Sequence, residues 1–343
     1  MLRFMAWLMI VSATPLAGWA GGADEPMLRE FSASKAGEYL DAGVHKNEKG
    51  CFACHASYAY MMAGPIVCGQ SPVYRQMRRA MEQSIEKAAG NEADAMKAPE
   101  MSAVQAVMTA AALAQGDRAT GGKLHPLTRK ALDRMWSFQQ ENGAWKWAKL
   151  NAPPSEIDDH FGVTMAAIAA GVAPEHYAVT PKGHEGLRKV REYLNDHPPR
   201  TMHNRVMLML ASEQVGRIMS EEQRKQTVAE LLALQRADGG WAMASLGDWK
   251  RSDGRPQSLS FSDGYGTGFV TYVLRRAGDI SGADPRLQRA ITWMKSHQRA
   301  SGCWFTPSPH KNDELSTYTG TAYVILALHA CGEIQATQTE HAQ

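Results

Sequence analysis

Two kinds of helical pattern alternate along the chain. One kind carries apolar residues on one face and charged residues on the other, as in residues 221–236, which is typical of a helix at a protein surface. The other kind is small or apolar nearly all round, as in residues 165–171 and 322–332, which is typical of a buried helix. The alternation therefore predicts outer amphipathic helices paired with inner buried ones.

Six such outer/inner pairs can be placed on the chain. Proline and glycine fall between the predicted helices, for example at Pro198-Pro199 and at Gly278, where they favour turns. The predicted pairs are 33–45/52–64, 72–89/102–115, 126–140/159–171, 183–195/202–216, 221–236/264–277 and 285–299/317–331. They predict an all-α fold, an (α/α)6 toroid that forms a single domain over residues 21–343, with an open solenoid of the same repeats as the alternative.

A shared turn ends three of the predicted outer helices. It reads Gln, two or three residues, Gly, any residue and Trp, at Gln140–Trp145, Gln235–Trp241 and Gln298–Trp304. The glycine suits a left-handed position at a helix end, and the tryptophan can cover apolar surface between neighbouring helices. The glutamine can bond to backbone groups at the adjoining turn. One turn repeated in phase is the mark of a repeat architecture.

These turns resemble the QW motifs of squalene–hopene and oxidosqualene cyclases. The resemblance extends over about residues 126–332 and implies the α/α toroid of the prenyltransferase and squalene cyclase repeat family. It also implies an apolar, isoprenoid-like ligand. Tryptophans such as Trp145 and Trp304 could line its cavity with their π faces, although packing between repeats is the simpler explanation for them.

An acidic cluster opens the predicted third inner helix. Glu156, Asp158, Asp159 and His160 stand just before its apolar run. In squalene–hopene cyclases an Asp-x-Asp-Asp motif at such a place supplies the proton that starts cyclisation. The resemblance thus implies Asp158 as general acid, tuned by Asp159 and Glu156. This chain differs from the motif at the first position, where it has Glu156 in place of aspartate. Capping of the helix start by the same acids is an alternative, as is a metal or ligand contact, and His160 could be a core residue or a ligand.

A second motif, Cys51-Phe-Ala-Cys54-His55, precedes the predicted first inner helix. Its spacing is that of c-type haem attachment, with two thioethers to the cysteines and the histidine as an iron ligand. A disulfide or redox pair beside an incidental histidine is one alternative, and a zinc or other metal site with His55 as a ligand is another. We expect this cluster to face the same mouth of the ring as Asp158.

The first twenty residues predict export. Arg3 is followed by an apolar stretch and by Gly18-Trp19-Ala20, which is the pattern of a signal peptide. The mature chain is then expected in the periplasm or outside the cell, with no later transmembrane segment. The 37 basic and 35 acidic residues give a net charge of +2, which argues against nucleic acid as a partner.

These observations favour one function and leave three others open. The favoured one is an exported cyclase-fold protein that carries a c-type haem or a metal at the mouth of its ring. It would bind or redox-modify an apolar, isoprenoid-like ligand and exchange electrons with a periplasmic redox partner. The others are a proton-initiated terpene cyclase with Asp158 as acid, a polysaccharide lyase, and a non-catalytic toroid that binds proteins.

Overall fold

A computed structural model describes residues 22–46, 55–88, 97–216, 218–310 and 313–337. Within these ranges there are twelve α-helices: α1 (Ala33–Lys46), α2 (His55–Val67), α3 (Pro72–Ala88), α4 (Pro99–Thr120), α5 (Pro126–Ser137), α6 (Asp159–Val172), α7 (Pro181–Asp196), α8 (Met202–Val215), α9 (Glu221–Ala233), α10 (Gly264–Arg276), α11 (Pro285–Ser296) and α12 (Asp313–Ala330). No strand forms among the described residues. No helix in this part of the chain has the length and apolar character needed to cross a membrane.

The odd-numbered helices form the outer layer, and each buries one side. In α3, for example, Tyr74, Met77, Met81 and Ile85 are buried at helical spacing, whereas Arg79 between them is exposed. This spacing places the four apolar side chains on one face of the helix. The outer helices are therefore amphipathic, as their sequence pattern predicts.

The even-numbered helices form the inner layer, and most of their residues are buried. Every residue of α6 from His160 to Ala170 is buried, and most of them are small, so neighbouring backbones can approach closely. Each inner helix contacts the next one along the chain, from α2 to α12. The resulting layer is the core of the molecule.

The ring closes because α12 packs against α2. The Tyr318 hydroxyl on α12 donates a hydrogen bond to the Leu40 carbonyl on α1 at 2.9 Å. The segment before α1 also joins the turn after α11, where the Leu28 N–H donates to the Gln298 carbonyl at 2.7 Å. These contacts join the first helix pair to the last. The predicted (α/α)6 toroid is confirmed, and the open solenoid is excluded.

Three glutamine side chains tie the outer layer together. In each case the side-chain amide donates two hydrogen bonds, one to the glycine carbonyl of its own turn and one to a backbone carbonyl near the start of the next outer helix. The three are Gln139, Gln235 and Gln298, with distances between 2.7 and 3.1 Å. Because one amide carries two N–H donors, a single side chain satisfies both carbonyls.

The first of these turns starts one residue earlier than predicted. Gln139 has the same four-residue spacing to its glycine as Gln235 and Gln298, and its amide makes the two hydrogen bonds. Gln140 contributes its backbone N–H to the Ala144 carbonyl. The prediction of Gln140 was wrong because two adjacent glutamines made the start of the motif ambiguous.

The tryptophan of each turn is fully buried and bonds back to its own outer helix. The indole N–H groups of Trp145, Trp241 and Trp304 donate to carbonyls ten residues earlier, at 2.9, 2.7 and 2.6 Å. A buried indole needs such a partner for its N–H group. These tryptophans therefore serve the packing of the repeats.

The last inner helix begins earlier than predicted. The sequence pattern places its start at Thr317, whereas α12 begins at Asp313. Asp313 and Glu314 lie in its first turn, where negative charge interacts favourably with the helix dipole. Thr317 lies one turn inside and accepts a hydrogen bond from the Thr306 N–H at 3.1 Å.

Candidate functional site

A central cavity lies where several inner helices begin. Its lining includes Tyr58 of α2, Phe161 of α6, Tyr265 of α10 and Leu315 of α12, and each of these residues belongs to the first turn of its helix or lies close to it. The starts of four inner helices thus meet around one space of about 200 Å³. The ring therefore has a distinct end at which a small molecule could enter.

The walls of this cavity are mainly aromatic and apolar. Besides the residues above, its lining includes Met108, Met165 and Tyr323. The loop between α5 and α6 covers one side with Pro153, Pro154 and Glu156. Flexible methionines and rigid aromatic rings together are typical of sites for apolar ligands.

Glu156 is the carboxylic acid among the described lining residues of the cavity. Its position is fixed by the loop, because its carbonyl accepts a hydrogen bond from the Leu150 N–H at 3.0 Å and its N–H donates to the Ala152 carbonyl at 2.9 Å. Burial raises the pKa of its carboxyl group, since a low-dielectric surrounding disfavours the charged form. A partly buried carboxyl therefore stands beside the cavity.

Asp158 lies at the start of α6 as its N-cap. One carboxylate oxygen accepts a hydrogen bond from the Phe161 N–H at 3.3 Å, and the other accepts one from the Asn204 amide at 2.9 Å. Asp158 does not belong to the cavity lining. Both carboxylate oxygens already accept hydrogen bonds from protein donors, so this geometry serves a helix cap better than a proton donor.

Asp159 and His160, the other two residues of the predicted acidic cluster, also lie outside the cavity lining. Asp159 pairs with Lys149 at 3.2 Å. His160 is buried, and neither of its ring nitrogens has a hydrogen-bond partner among the described residues. Burial lowers the pKa of His160 to about 4, so the ring is neutral near pH 7. The structure thus brings Glu156 alone of the four to the cavity, and the catalytic role of the group stays a prediction.

The inner helix α10 has a more deeply buried cap. Asp263 is 1% exposed, and its carboxyl oxygens accept hydrogen bonds from the Gly266 and Met243 N–H groups, both at 2.7 Å. Burial raises the pKa of this carboxyl group to about 7, against the lowering effect of these donors. Asp263 therefore joins the start of α10 to the segment that contains Met243.

Tyr265, a residue of the cavity lining, is paired with the buried side chain of His203. The two are joined by a hydrogen bond of 2.9 Å between the His203 Nε2 and the Tyr265 hydroxyl. Neither residue was predicted from the sequence, and the same holds for Tyr58 and Tyr323. A signal was present, because Tyr265 stands in the Asp263-Gly-Tyr-Gly266 opening of an inner helix, where an aromatic ring must face the mouth or a neighbouring helix.

The Cys-x-x-Cys-His motif lies largely outside the described residues. The described chain resumes at His55, the first residue of α2, and Tyr58 three positions later lines the cavity. The described parts of the chain contain no group of three or more His, Cys, Asp or Glu side chains placed to hold a metal ion. Among them, Cys68, Cys303 and Cys331 are free thiols.

Comparison with known proteins gives one distant likeness that bears on this site. The chain is 27% identical over 243 residues to a probable squalene–hopene cyclase of Sinorhizobium fredii. The match covers 58% of this chain and 34% of the relative, so the chain spans about a third of that protein's length. No family model matches the chain. The likeness supports a squalene cyclase-like fold and agrees with the toroid.

Proposed function

We propose that this protein binds a small, mostly apolar molecule in its central cavity. The observation that carries the proposal is the cavity itself, with aromatic and methionine walls and one carboxyl group, Glu156, among its described lining residues. Such a site stabilises a ligand mainly by removing apolar surface from water. A polysaccharide would need a wide polar groove, so this lining argues against a polysaccharide lyase.

The size of the cavity sets the size of the ligand. An apolar cavity of about 150 Å³ can hold benzene, and sites for drug-sized ligands span roughly 300–1,000 Å³. A cavity of about 200 Å³ therefore suits a molecule with on the order of ten carbon atoms, or one end of a longer chain. The likeness to a squalene–hopene cyclase makes an isoprenoid the first class of molecule to test.

Binding is favoured over cyclisation started by Asp158. Protonation of an alkene needs a carboxylic acid that keeps its proton and reaches the substrate. Asp158 accepts two hydrogen bonds and lies outside the cavity lining. If the protein does transfer a proton to its ligand, Glu156 is the better placed donor, because it lines the cavity and burial raises its pKa.

Filling the cavity should block binding. Thr319 lines the cavity on α12 and is partly exposed, so Thr319→Trp is expected to be tolerated and to occupy part of the space. We expect binding of a cyclic ten-carbon isoprenoid to weaken by at least about tenfold, the loss of roughly 1.4 kcal/mol of binding free energy. Isothermal titration calorimetry checks this result.

The matched control is Thr292→Trp, which places the same residue on the exposed side of outer helix α11. Its affinity should stay within about twofold of the unchanged protein. Equal affinities for all three proteins would contradict binding in the central cavity.

The proposal extends to a haem at the same end of the ring. The donor set of two thiols and an imidazole fits a c-type haem, which Cys51 and Cys54 would hold through thioethers and His55 would ligate. Support comes from the position of α2, whose first turn reaches the cavity at Tyr58. A bound haem would supply one-electron chemistry, and export would bring the chain to the compartment of its redox partner.

Covalent haem can be tested directly. The protein is produced with its leader in a bacterium that has a haem-attachment system, and the purified protein is examined by the pyridine haemochrome spectrum and haem staining after denaturation. We expect about one covalent haem per chain, loss of the haem in the Cys51→Ala, Cys54→Ala double variant, and retention in Cys68→Ala.

Absence of covalent haem from the unchanged protein would refute the haem proposal and leave the cavity proposal standing. Zinc analysis and thiol titration of the same sample would then distinguish a metal site from a disulfide.

A further inference from the structure

Tyr265 lies on the wall of the central cavity and forms a buried hydrogen-bonded pair with His203. Tyr265 is 4% exposed and His203 is fully buried, and Tyr265 lines the cavity. Within the described residues, the Tyr265 hydroxyl bonds to the His203 Nε2 alone. A tyrosine hydroxyl can donate one hydrogen bond and accept others, so it retains capacity for a further partner.

The His203 ring is held by the aromatic side chains around it. It stacks with Phe161 and Phe269, with ring centroids 6.2 and 5.1 Å away, and meets the edge of Trp249 at 5.9 Å. Rings packed on several sides leave little freedom for the imidazole to rotate. His203 is therefore suited to hold the Tyr265 hydroxyl in one orientation.

The hydrogen-bond network assigns the protons of this pair. Burial lowers the pKa of His203 to about 3, so its ring is neutral and carries one proton. The His203 Nδ1 has no hydrogen-bond partner among the described residues. A buried N–H group without an acceptor is rarer and costlier than an acceptor without a donor. The proton therefore belongs on Nε2, which donates to the Tyr265 oxygen.

This assignment leaves the Tyr265 proton free to be donated elsewhere. Burial raises the pKa of Tyr265 above its ordinary value, so the hydroxyl keeps its proton near pH 7. Since Tyr265 lines the cavity, a molecule bound there can supply an acceptor. A hydrocarbon there would offer no acceptor to the Tyr265 proton, whereas a ligand oxygen would accept it.

We infer that Tyr265, positioned by His203, donates a hydrogen bond to an oxygen atom of the bound molecule, so that the cavity selects an apolar molecule with a hydroxyl or carbonyl group. This inference rests on the proposed function and narrows it from apolar molecules in general to oxygen-bearing ones. Tyr265 is then a binding residue, and His203 is a positioning residue that acts through it.

The test compares a ketone and a hydrocarbon of the same skeleton. Carvone and limonene share their ring and side chain and differ in one carbonyl oxygen. We expect Tyr265→Phe to weaken carvone binding by roughly tenfold and to leave limonene binding within about twofold of the unchanged protein. Equilibrium dialysis with gas-chromatographic detection suits these volatile probes. The affinity of each probe is compared only between protein variants, so the different solubilities of carvone and limonene do not affect the result.

Two sets of variants separate recognition from a general effect on the fold. Tyr318→Phe removes another buried tyrosine hydroxyl, one that bonds to the Leu40 carbonyl outside the cavity, and should change neither affinity. His203→Leu should weaken carvone binding as Tyr265→Phe does. His203→Gln should restore it in part, because its amide N–H can still donate to the tyrosine.

The measured affinities can separate a failure of this inference from a failure of the proposed function. An unchanged carvone affinity in Tyr265→Phe, or an equal loss for both probes, would overturn the inference and leave the proposed function intact. Failure of both probes to bind the unchanged protein would instead overturn the proposed function for molecules of this size, and the inference with it.

Discussion

Gly302→Ala is expected to lower the free energy of unfolding by about 4 kcal/mol. Gly302 has a φ of +99°, a backbone region that favours glycine. A Cβ at this position would overlap the backbone carbonyl of Lys35 on α1. Backbone atoms cannot move aside as a flexible side chain can, so the contact that joins the last outer turn to the first helix would have to open. Urea unfolding followed by circular dichroism measures the change.

Gly332→Ala is the matched control for this prediction. Gly332 also has a positive φ, of +81°, yet a Cβ there would meet no atom within 4 Å. The Gly332→Ala variant should lose only about 1 kcal/mol of unfolding free energy, because alanine is less favourable than glycine at a positive φ. If the two variants were equally stable, the close approach at Gly302 would not contribute to ring closure as described.

Asp263→Ala should destabilise the protein by roughly 3 kcal/mol. The substitution removes the acceptor of two buried backbone N–H groups, those of Gly266 and Met243. No water can replace the carboxyl group without entering the core, so both donors would lose their partner. The same loss would free the segment around Met243, which lines the cavity. Thermal and urea unfolding give the stability change.

Asp284→Ala removes a cap of the same chemistry from a more exposed helix. Asp284 accepts a hydrogen bond from the Arg286 N–H at the start of outer helix α11, at 2.8 Å. Because water can reach this site, the expected loss is about 1 kcal/mol. A similar loss of stability in Asp263→Ala and Asp284→Ala would mean that burial does not increase the contribution of the α10 cap.

The fold could be predicted from the sequence because its signals are repeated. Amphipathic and fully apolar helices alternate, and a Gln…Gly…Trp turn recurs in phase. Each turn makes the same contacts in the structure, since Gln139, Gln235 and Gln298 bond in the same way. The pattern alone could not decide whether the ring closes, because closure depends on contacts between the first and last helices.

The candidate site could be predicted only in part, because it depends on which helix ends converge. Glu156 and Asp158 were predicted from their place before α6. Glu156 turns toward the cavity while Asp158 caps the helix, and two residues of one loop cannot be told apart in this respect by spacing. Tyr265 and His203 are 62 positions apart in the chain, so their pairing could emerge only from the folded ring.

We propose that an apolar molecule with an oxygen atom occupies the cavity at the starts of the inner helices. A crystal structure of the protein soaked with 3-bromocamphor, a ten-carbon ketone, tests it directly through the anomalous signal of bromine. We expect one bromine peak in the space between Phe161, Tyr265 and Tyr323, with the ketone oxygen within hydrogen-bond distance of the Tyr265 hydroxyl. An empty cavity at saturating ligand, or bromine bound only elsewhere, would contradict it.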